Sequence, residues 1–127
     1  MSVIPYLTIT DGRGAEAADF YKTLFGATEG MRMPAEDKKR LMHCELIFAG
    51  GTLYLSDDFQ NQPGGQPLAS VFVGFEKAAE VDALAARAKT MGVTMLQEPM
   101  DMFWGDRFAM FRDPFGHRWQ AGAPKGS

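Results

Sequence analysis

The sequence predicts an α+β fold: two tandem βαβββ modules whose curved mixed sheets surround a central trough, with the helices outside. Three observations lead there. Gly26 and Gly92, Ala17 and Ala83, Ile9 and Phe75, and Gly50 and Gly116 each stand 66 residues apart, and strand, helix, strand and hairpin signals recur in the same order at that offset. Only two stretches carry helical periodicity, whereas short strand-like segments broken by glycine and proline recur along the chain. Four strands per module leave one edge and one face uncovered, so two such sheets side by side leave a concave apolar trough, the default place for a ligand.

Each element has its own signal. Val3–Ile9 reads as a strand with Leu7 and Ile9 on one face and Tyr6 and Thr8 on the other. Asp11-Gly12-Arg13-Gly14 breaks it. Ala17, Phe20, Tyr21, Leu24 and Phe25 then fall at helical spacing over Ala15–Phe25, and Gly26 stands where a left-handed cap is wanted. Ala27–Met33 reads as a weak strand, Pro34–Arg40 as a solvated turn and Leu41–Ala49 as a strong strand. Gly50-Gly51 turns the chain into the returning strand Thr52–Ser56. The pattern restarts with a strand over Leu68–Phe75 and a helix marked by Val81, Leu84, Ala85, Ala88 and Met91, stopped by Gly92. Val93–Gln97 is a strand, Glu98–Asp106 a loop holding Phe103-Trp104-Gly105, and Arg107–Arg112 a strand. Asp113-Pro114-Phe115-Gly116 carries type I turn residues, His117–Ala121 returns, and the tail from Pro124 is expected to fray. The domain reading is one domain: module 1 over about 1–57, a polar linker over about 57–67 (DDFQNQPGGQP) and module 2 over about 68–122.

Composition bounds the rest. The 127 residues, 46% hydrophobic and 23% charged, suit one folded domain and exclude most two-domain enzymes. Thirteen basic against sixteen acidic residues argue against a nucleic-acid partner. The single cysteine, Cys44, excludes an intrachain disulfide and a cysteine-rich zinc site. The N-terminal segment MSVIPYLTIT has no targeting pattern, and no apolar run approaches the ~20 residues of a membrane-spanning helix, so a cytoplasmic protein without a membrane partner is expected. Gly12-Arg13-Gly14-Ala15-Glu16-Ala17 fits G-x-G-x-x-A. The hairpins that follow, and the presence of only two substantial helices, leave no parallel βα units for a dinucleotide domain.

Among chemical candidates His43 ranks first. Met42, Cys44, Leu46 and Phe48 form one apolar strand face, and Leu41, His43, Glu45 and Ile47 the other. His43 and Glu45 therefore share a face about 7 Å apart, as a pair for proton transfer, as part of a displaced metal site, as a buried ion pair or with His43 hydrogen-bonded across the sheet. Phe103 and Trp104 are a stacking wall or a loop anchor. Arg107 serves an anionic ligand or is an exposed arginine near Asp106. Nine methionines read chiefly as core filling. Cys44 reads as a small core residue and His117 as a hairpin surface residue.

Six motifs carry a family resemblance: PYLTI at Pro5–Ile9, EAADFYKTLFGA at Glu16–Ala27, MHCEL at Met42–Leu46, LYLSD at Leu53–Asp57, FWGDRF at Phe103–Phe108 and DPFGHRW at Asp113–Trp119. With them the chain resembles the vicinal oxygen chelate superfamily of glyoxalases, bleomycin-resistance proteins and extradiol dioxygenases. More narrowly it resembles the PhnB-like group, often labelled 3-demethylubiquinone-9 3-methyltransferase. The resemblance implies a homodimer and, in catalytic members, a divalent metal held from the first and last strand of each half. Those positions become Ile4 (or Tyr6, if the register slips by two), Tyr54, Ser70 and Gln120. Only Gln120 is a plausible ligand, so the usual metal site is expected to be lost, no metal is assigned and the cofactor stays open. Methyltransferase activity is not expected, because no nucleotide-type domain is available for its cosubstrate. The expectation is a protein that binds a small apolar or aromatic ligand in the trough through Tyr6, Tyr54, Phe72, Trp104, Arg107 and Gln120, with His43 and Glu45 as candidate catalytic residues. The alternatives are a lyase, isomerase or dioxygenase-type enzyme using His43 and Glu45, or a trough that serves only dimerisation.

Overall fold

Leu7 and Ile9 alternate with Tyr6 and Thr8, and that alternation builds β1 (Tyr6–Ile9), shorter than predicted because Val3 to Pro5 precede the strand. In the computed structural model, which describes residues 1–60 and 69–127, α1 (Gly14–Phe25) follows. Ala17, Ala18, Tyr21 and Leu24 are its buried stripe, and Gly26 caps it at φ 70°. β2 (Thr28–Pro34), β3 (Leu41–Phe48) and β4 (Gly51–Asp57) complete the first module. The second repeats the order with β5 (Ser70–Gly74), α2 (Ala78–Thr90), β6 (Thr94–Asp101), β7 (Asp106–Arg112) and β8 (Arg118–Pro124). Two tandem βαβββ modules are thus present. Their sheets run β1-β4-β3-β2 and β5-β8-β7-β6, parallel at the first pair and antiparallel elsewhere. The chain divides into two units, Met1–Gly64 and Gly65–Ser127.

In the first unit α1 packs on β1, β3 and β4. The strand faces beneath it carry Leu7, Ile9, Cys44, Leu46, Leu53 and Leu55, all buried. Each large aliphatic side chain removed from water this way contributes about 1.5–3 kcal/mol. In the second unit α2 packs on β6, β7 and β8, with Val81, Leu84, Ala85 and Ala88 meeting a core that includes Phe111 and Trp119.

The repeat is real but its offset is not constant. Tyr6 pairs with Tyr54 and Phe72 with Gln120, so β1 and β4 recur 66 residues later. Glu45 pairs with Tyr54, however, whereas Met110 pairs with Gln120, so β3 recurs after 65. The hairpins explain the slip. Two residues separate Phe48 from Gly51, but three separate Asp113 from His117, whose backbone groups bond at 2.8 Å.

Other expectations are corrected. Glu98–Asp106 is not all loop, because β6 runs to Asp101. Register shifts between Met95 and Gln97 and between Gln97 and Met100 absorb Pro99, which has no N–H for a ladder. The tail is held: Pro124 pairs with Asp106, the Lys125 N–H donates to the Gly105 carbonyl at 2.9 Å, and the Ala78 N–H donates to Ser127 Oγ at 2.8 Å. No methionine is buried, so methionine does not fill the core; Met31, Met33, Met42 and Met100 are about half exposed. Asp57, read as the first linker residue, ends β4 and is buried. The linker from 61 to 67, and Leu68, lie outside the described residues.

Candidate functional site

Alternation turns Tyr6, Thr8, His43, Glu45, Ile47, Tyr54 and Ser56 to the face of the first sheet opposite α1. Tyr6, Tyr54 and Glu45 lie in one row across β1, β4 and β3, and His43 stands one pleat away from Glu45. The Tyr54 ring is the floor. His43 meets it edge-on at 4.8 Å between centroids, and Tyr6 meets it edge-on at 6.0 Å. Over this floor Tyr6 and His43 reach each other: Tyr6 Oη is 3.1 Å from His43 Nδ1, and His43 Nε2 is 3.0 Å from Glu45 Oε2.

The chemistry of these atoms fixes a direction. A carboxylate only accepts, so Nε2 carries the proton facing Glu45. With a neutral ring, Nδ1 then accepts from the Tyr6 hydroxyl. The tyrosine is 49% exposed, against 22% for the His43 side chain and 29% for that of Glu45, so the phenol is the accessible end. Cys44, on the opposite face of the same strand, is fully buried, and burial pushes its thiol pKa up. It is a core residue, as expected.

Backbone order beneath this face depends on Asp57. Its carboxylate accepts from the Gly14 N–H at 2.8 Å and the Leu41 N–H at 2.7 Å, joining the starts of α1 and β3. A Cβ on Gly14 would overlap that carboxylate. In a dinucleotide fingerprint a phosphate faces the helix N-terminus; here the protein's own carboxylate takes that place. Thr8, Ser56, Asp57, Asp58, Phe59 and Gln60 line a shallow cavity of about 190 Å³ beside it.

The second sheet holds the other candidates. Phe72 and Gln120 face each other across β5 and β8, and Gln120 Nε2 donates to Ser70 Oγ at 2.9 Å. The Phe72 ring lies over Gly122, where an added Cβ would stand 2.8 Å from Cζ. Trp104 is half exposed in the loop after β6, edge-on to Phe103 at 5.1 Å and to Phe108 at 5.6 Å. Arg107 is apart from these. It bonds Asp82 of α2 at 2.9 Å and Asp101 at 3.4 Å, and the Asp82 hydrogen bond chiefly raises its pKa. Its partners are thus carboxylates of α2 and β6 rather than the adjacent Asp106. The His117 N–H is held by Asp113 Oδ1 at 3.0 Å, and Asp113 Oδ2 accepts from Trp119 Nε1 at 2.8 Å, which fixes the hairpin preceding Gln120.

The positions at which the superfamily resemblance places a metal do not fit one. Ile4 offers no donor and precedes β1, Tyr54 is the floor of a ring cluster, and Ser70 and Gln120 bond each other. Among the described residues no three His, Cys, Asp or Glu side chains converge. No helix among the described residues is long and apolar enough to cross a membrane.

Two copies of a four-stranded mixed sheet, each with one covering helix and one open face, define the glyoxalase-type fold class. The chain belongs to the Glyoxalase/Bleomycin resistance protein/Dioxygenase superfamily, whose sequence pattern matches residues 3–121. It is 36% identical over 126 residues to the uncharacterised protein Mb0911c of Mycobacterium bovis, covering 94% of this chain and 81% of that one. Its fold is similar to that of protein PA1353 from Pseudomonas aeruginosa, with a TM-score of 0.85, 26% identity and 98% of each chain covered. A putative 3-demethylubiquinone-9 3-methyltransferase, PhnB protein, from Bacillus cereus has a TM-score of 0.81 at 18% identity, covering 97% of this chain and 99% of that one. That likeness shows the fold alone.

Sequence reasoning grouped Tyr6, His43, Glu45 and Tyr54 and allowed His43 a hydrogen bond across the sheet, but did not name Tyr6 as its partner, on a strand that is not a neighbour of β3. It also missed Asp57. The signal was there: Leu53, Leu55 and Asp57 share a strand face, so the carboxylate belonged with the core.

Proposed function

We propose that this protein is a PhnB-like member of the superfamily that binds a small apolar or aromatic molecule against the open face of the first sheet. The observation that carries this reading is the cluster of three rings, Tyr6, His43 and Tyr54, within 6.0 Å on the face that α1 leaves uncovered. Edge-on aromatic pairs are worth about 0.5–1.5 kcal/mol beyond burial, and a flat ligand stacked on them meets the Tyr6 hydroxyl and the Glu45 carboxylate as polar contacts. Phe72 and Gln120 on the equivalent face of the second sheet, with Trp104 in its loop, are proposed as ligand residues of that unit. A homodimer is proposed as the assembly; sedimentation as a monomer at micromolar concentration contradicts it.

A thermal-shift screen of small aromatic, dicarbonyl and phosphonate-type compounds, with divalent metals alongside, tests the binding reading. A ligand at a hundred times its Kd stabilises the fold by about 2.7 kcal/mol. At least one aromatic compound is expected to raise Tm in the wild type and not in Tyr54→Ala. The reading fails if no aromatic compound raises Tm or if Tyr54→Ala retains the whole shift. A second reading, a lyase or isomerase, is favoured by the 3.0 Å His43–Glu45 contact, which suits acid–base chemistry.

A further inference from the structure

We propose that Tyr6 is the proton-exchanging end of a Tyr6–His43–Glu45 relay, fitted to a ligand whose hydroxyl or enolisable carbonyl meets the phenol oxygen. The proposal deepens the binding reading above and rests on it for where the ligand lies. The geometry supplies the relay: Glu45 Oε2 at 3.0 Å from Nε2, and Nδ1 at 3.1 Å from Tyr6 Oη. This repeats the logic of an activated hydroxyl, in which a base holds the proton and a carboxylate orients the base. When the phenol proton passes to Nδ1, His43 becomes an imidazolium. Its Nε2–H faces the Glu45 carboxylate and its Nδ1–H faces the Tyr6 phenolate. The phenolate then accepts a proton from the ligand's O–H, or from the carbon next to its carbonyl, leaving the ligand as an alkoxide-type or enolate anion. Return of the proton from Nδ1 through the phenol reverses the step, possible at the same or at a different ligand atom. No other reactant enters.

The second module shows that the fold does not require these groups. Its equivalent row is Phe72, Gln120 and Met110, and the position matching His43 at the 65-residue offset of that strand is Phe108. None of the four carries a titratable group, and the Gln120 amide bonds Ser70. A row without proton-carrying groups thus completes this sheet, whereas the first sheet links three of them, with Tyr6 the most exposed.

The test needs no ligand. The protein is treated with benzenesulfonyl fluoride, which forms a sulfur–oxygen bond to a phenol as fluoride leaves and the phenol proton passes to the base. The label is then mapped by peptide mass spectrometry onto the three tyrosines, Tyr6, Tyr21 and Tyr54. Tyr6 is expected to react about tenfold faster than free N-acetyltyrosine amide, despite being half covered, because the acceptor is already in place. His43→Phe keeps a ring against Tyr54 but cannot take the proton, and Glu45→Gln keeps an acceptor without its charge. Each is expected to lower the Tyr6 rate about tenfold while leaving the circular dichroism spectrum unchanged; Glu45→Gln carries the test if His43→Phe does not fold. Tyr6 reacting no faster than the free amide, or an unchanged rate in Glu45→Gln, overturns the relay. Since labelling is measured without ligand, the relay can fail while ligand-induced thermal shifts stand, and the shifts can fail while the relay stands.

Discussion

Replacing Asp57 by alanine removes a carboxylate that is 2% exposed and ties two elements together. Its two oxygens accept from the Gly14 N–H at 2.8 Å and from the Leu41 N–H at 2.7 Å. A hydrogen bond to a charged group is worth about 1.5–3 kcal/mol, and truncation leaves both donors unsatisfied. The carboxylate also faces the positive end of α1, whose Ncap residue, Arg13, makes no side-chain cap. The expected loss is about 3–5 kcal/mol, a fall in Tm of roughly 10–20 °C for a chain of this length. Urea titration followed by far-UV circular dichroism measures it. Gly14→Ala sharpens the result, since its Cβ overlaps the same carboxylate. In the wild type that substitution destabilises; in the Asp57→Ala background the overlap is gone, so the two losses couple instead of adding. A loss below about 1 kcal/mol for Asp57→Ala, or strict additivity with Gly14→Ala, refutes this reasoning.

Other consequences are more local. Gly122→Ala puts a Cβ against the end of the Phe72 ring, so the ring swings away; a cost of about 1 kcal/mol and a moved Phe72 resonance are expected in aromatic NMR spectra. Asp37 is held down to about 2, first by the Arg40 and Lys39 backbone N–H groups and then by the Arg40 side chain. A depressed carboxyl stabilises the fold above its ordinary value of 3.8 and loses that contribution as pH falls towards 2. Carbon-detected titration of Asp37 is expected to show a midpoint near 2, and loss of the shift in Asp37→Asn unfolding curves checks the sign. Cys44, buried with its thiol pKa raised, is expected to resist a disulfide reagent in the native protein and to react at the unfolding rate.

Alternation made much of the fold legible. On β1 and β3 a period of two assigned side chains to faces, and the structure keeps Cys44 and Leu46 under the helix with His43 and Glu45 opposite. Gly26 named its own cap because only glycine enters that backbone region at no steric cost. The end of β6 was not legible: the strand runs past Gln97 to Asp101, because register shifts absorb Pro99, a residue that cannot donate to a ladder. The methionines misled for another reason: hydrophobicity says that a side chain can be buried, not that a core position exists for it. The candidate site was half legible. His43 and Glu45 are two residues apart and declared themselves, whereas Tyr6 lies 37 residues upstream on a strand separated from β3 by β4. Only the strand order, which no local pattern encodes, brings its hydroxyl to the imidazole.

Long-range proton–nitrogen NMR of the imidazoles tests the central claim most directly, since the chain has two histidines and His117→Gln assigns the spectrum. The relay predicts a His43 ring with its proton on Nε2 and an unprotonated Nδ1 that accepts from the Tyr6 hydroxyl, and a changed Nδ1 shift in Tyr6→Phe. A neutral ring with its proton on Nδ1, or an Nδ1 shift that ignores the loss of the Tyr6 hydroxyl, contradicts it.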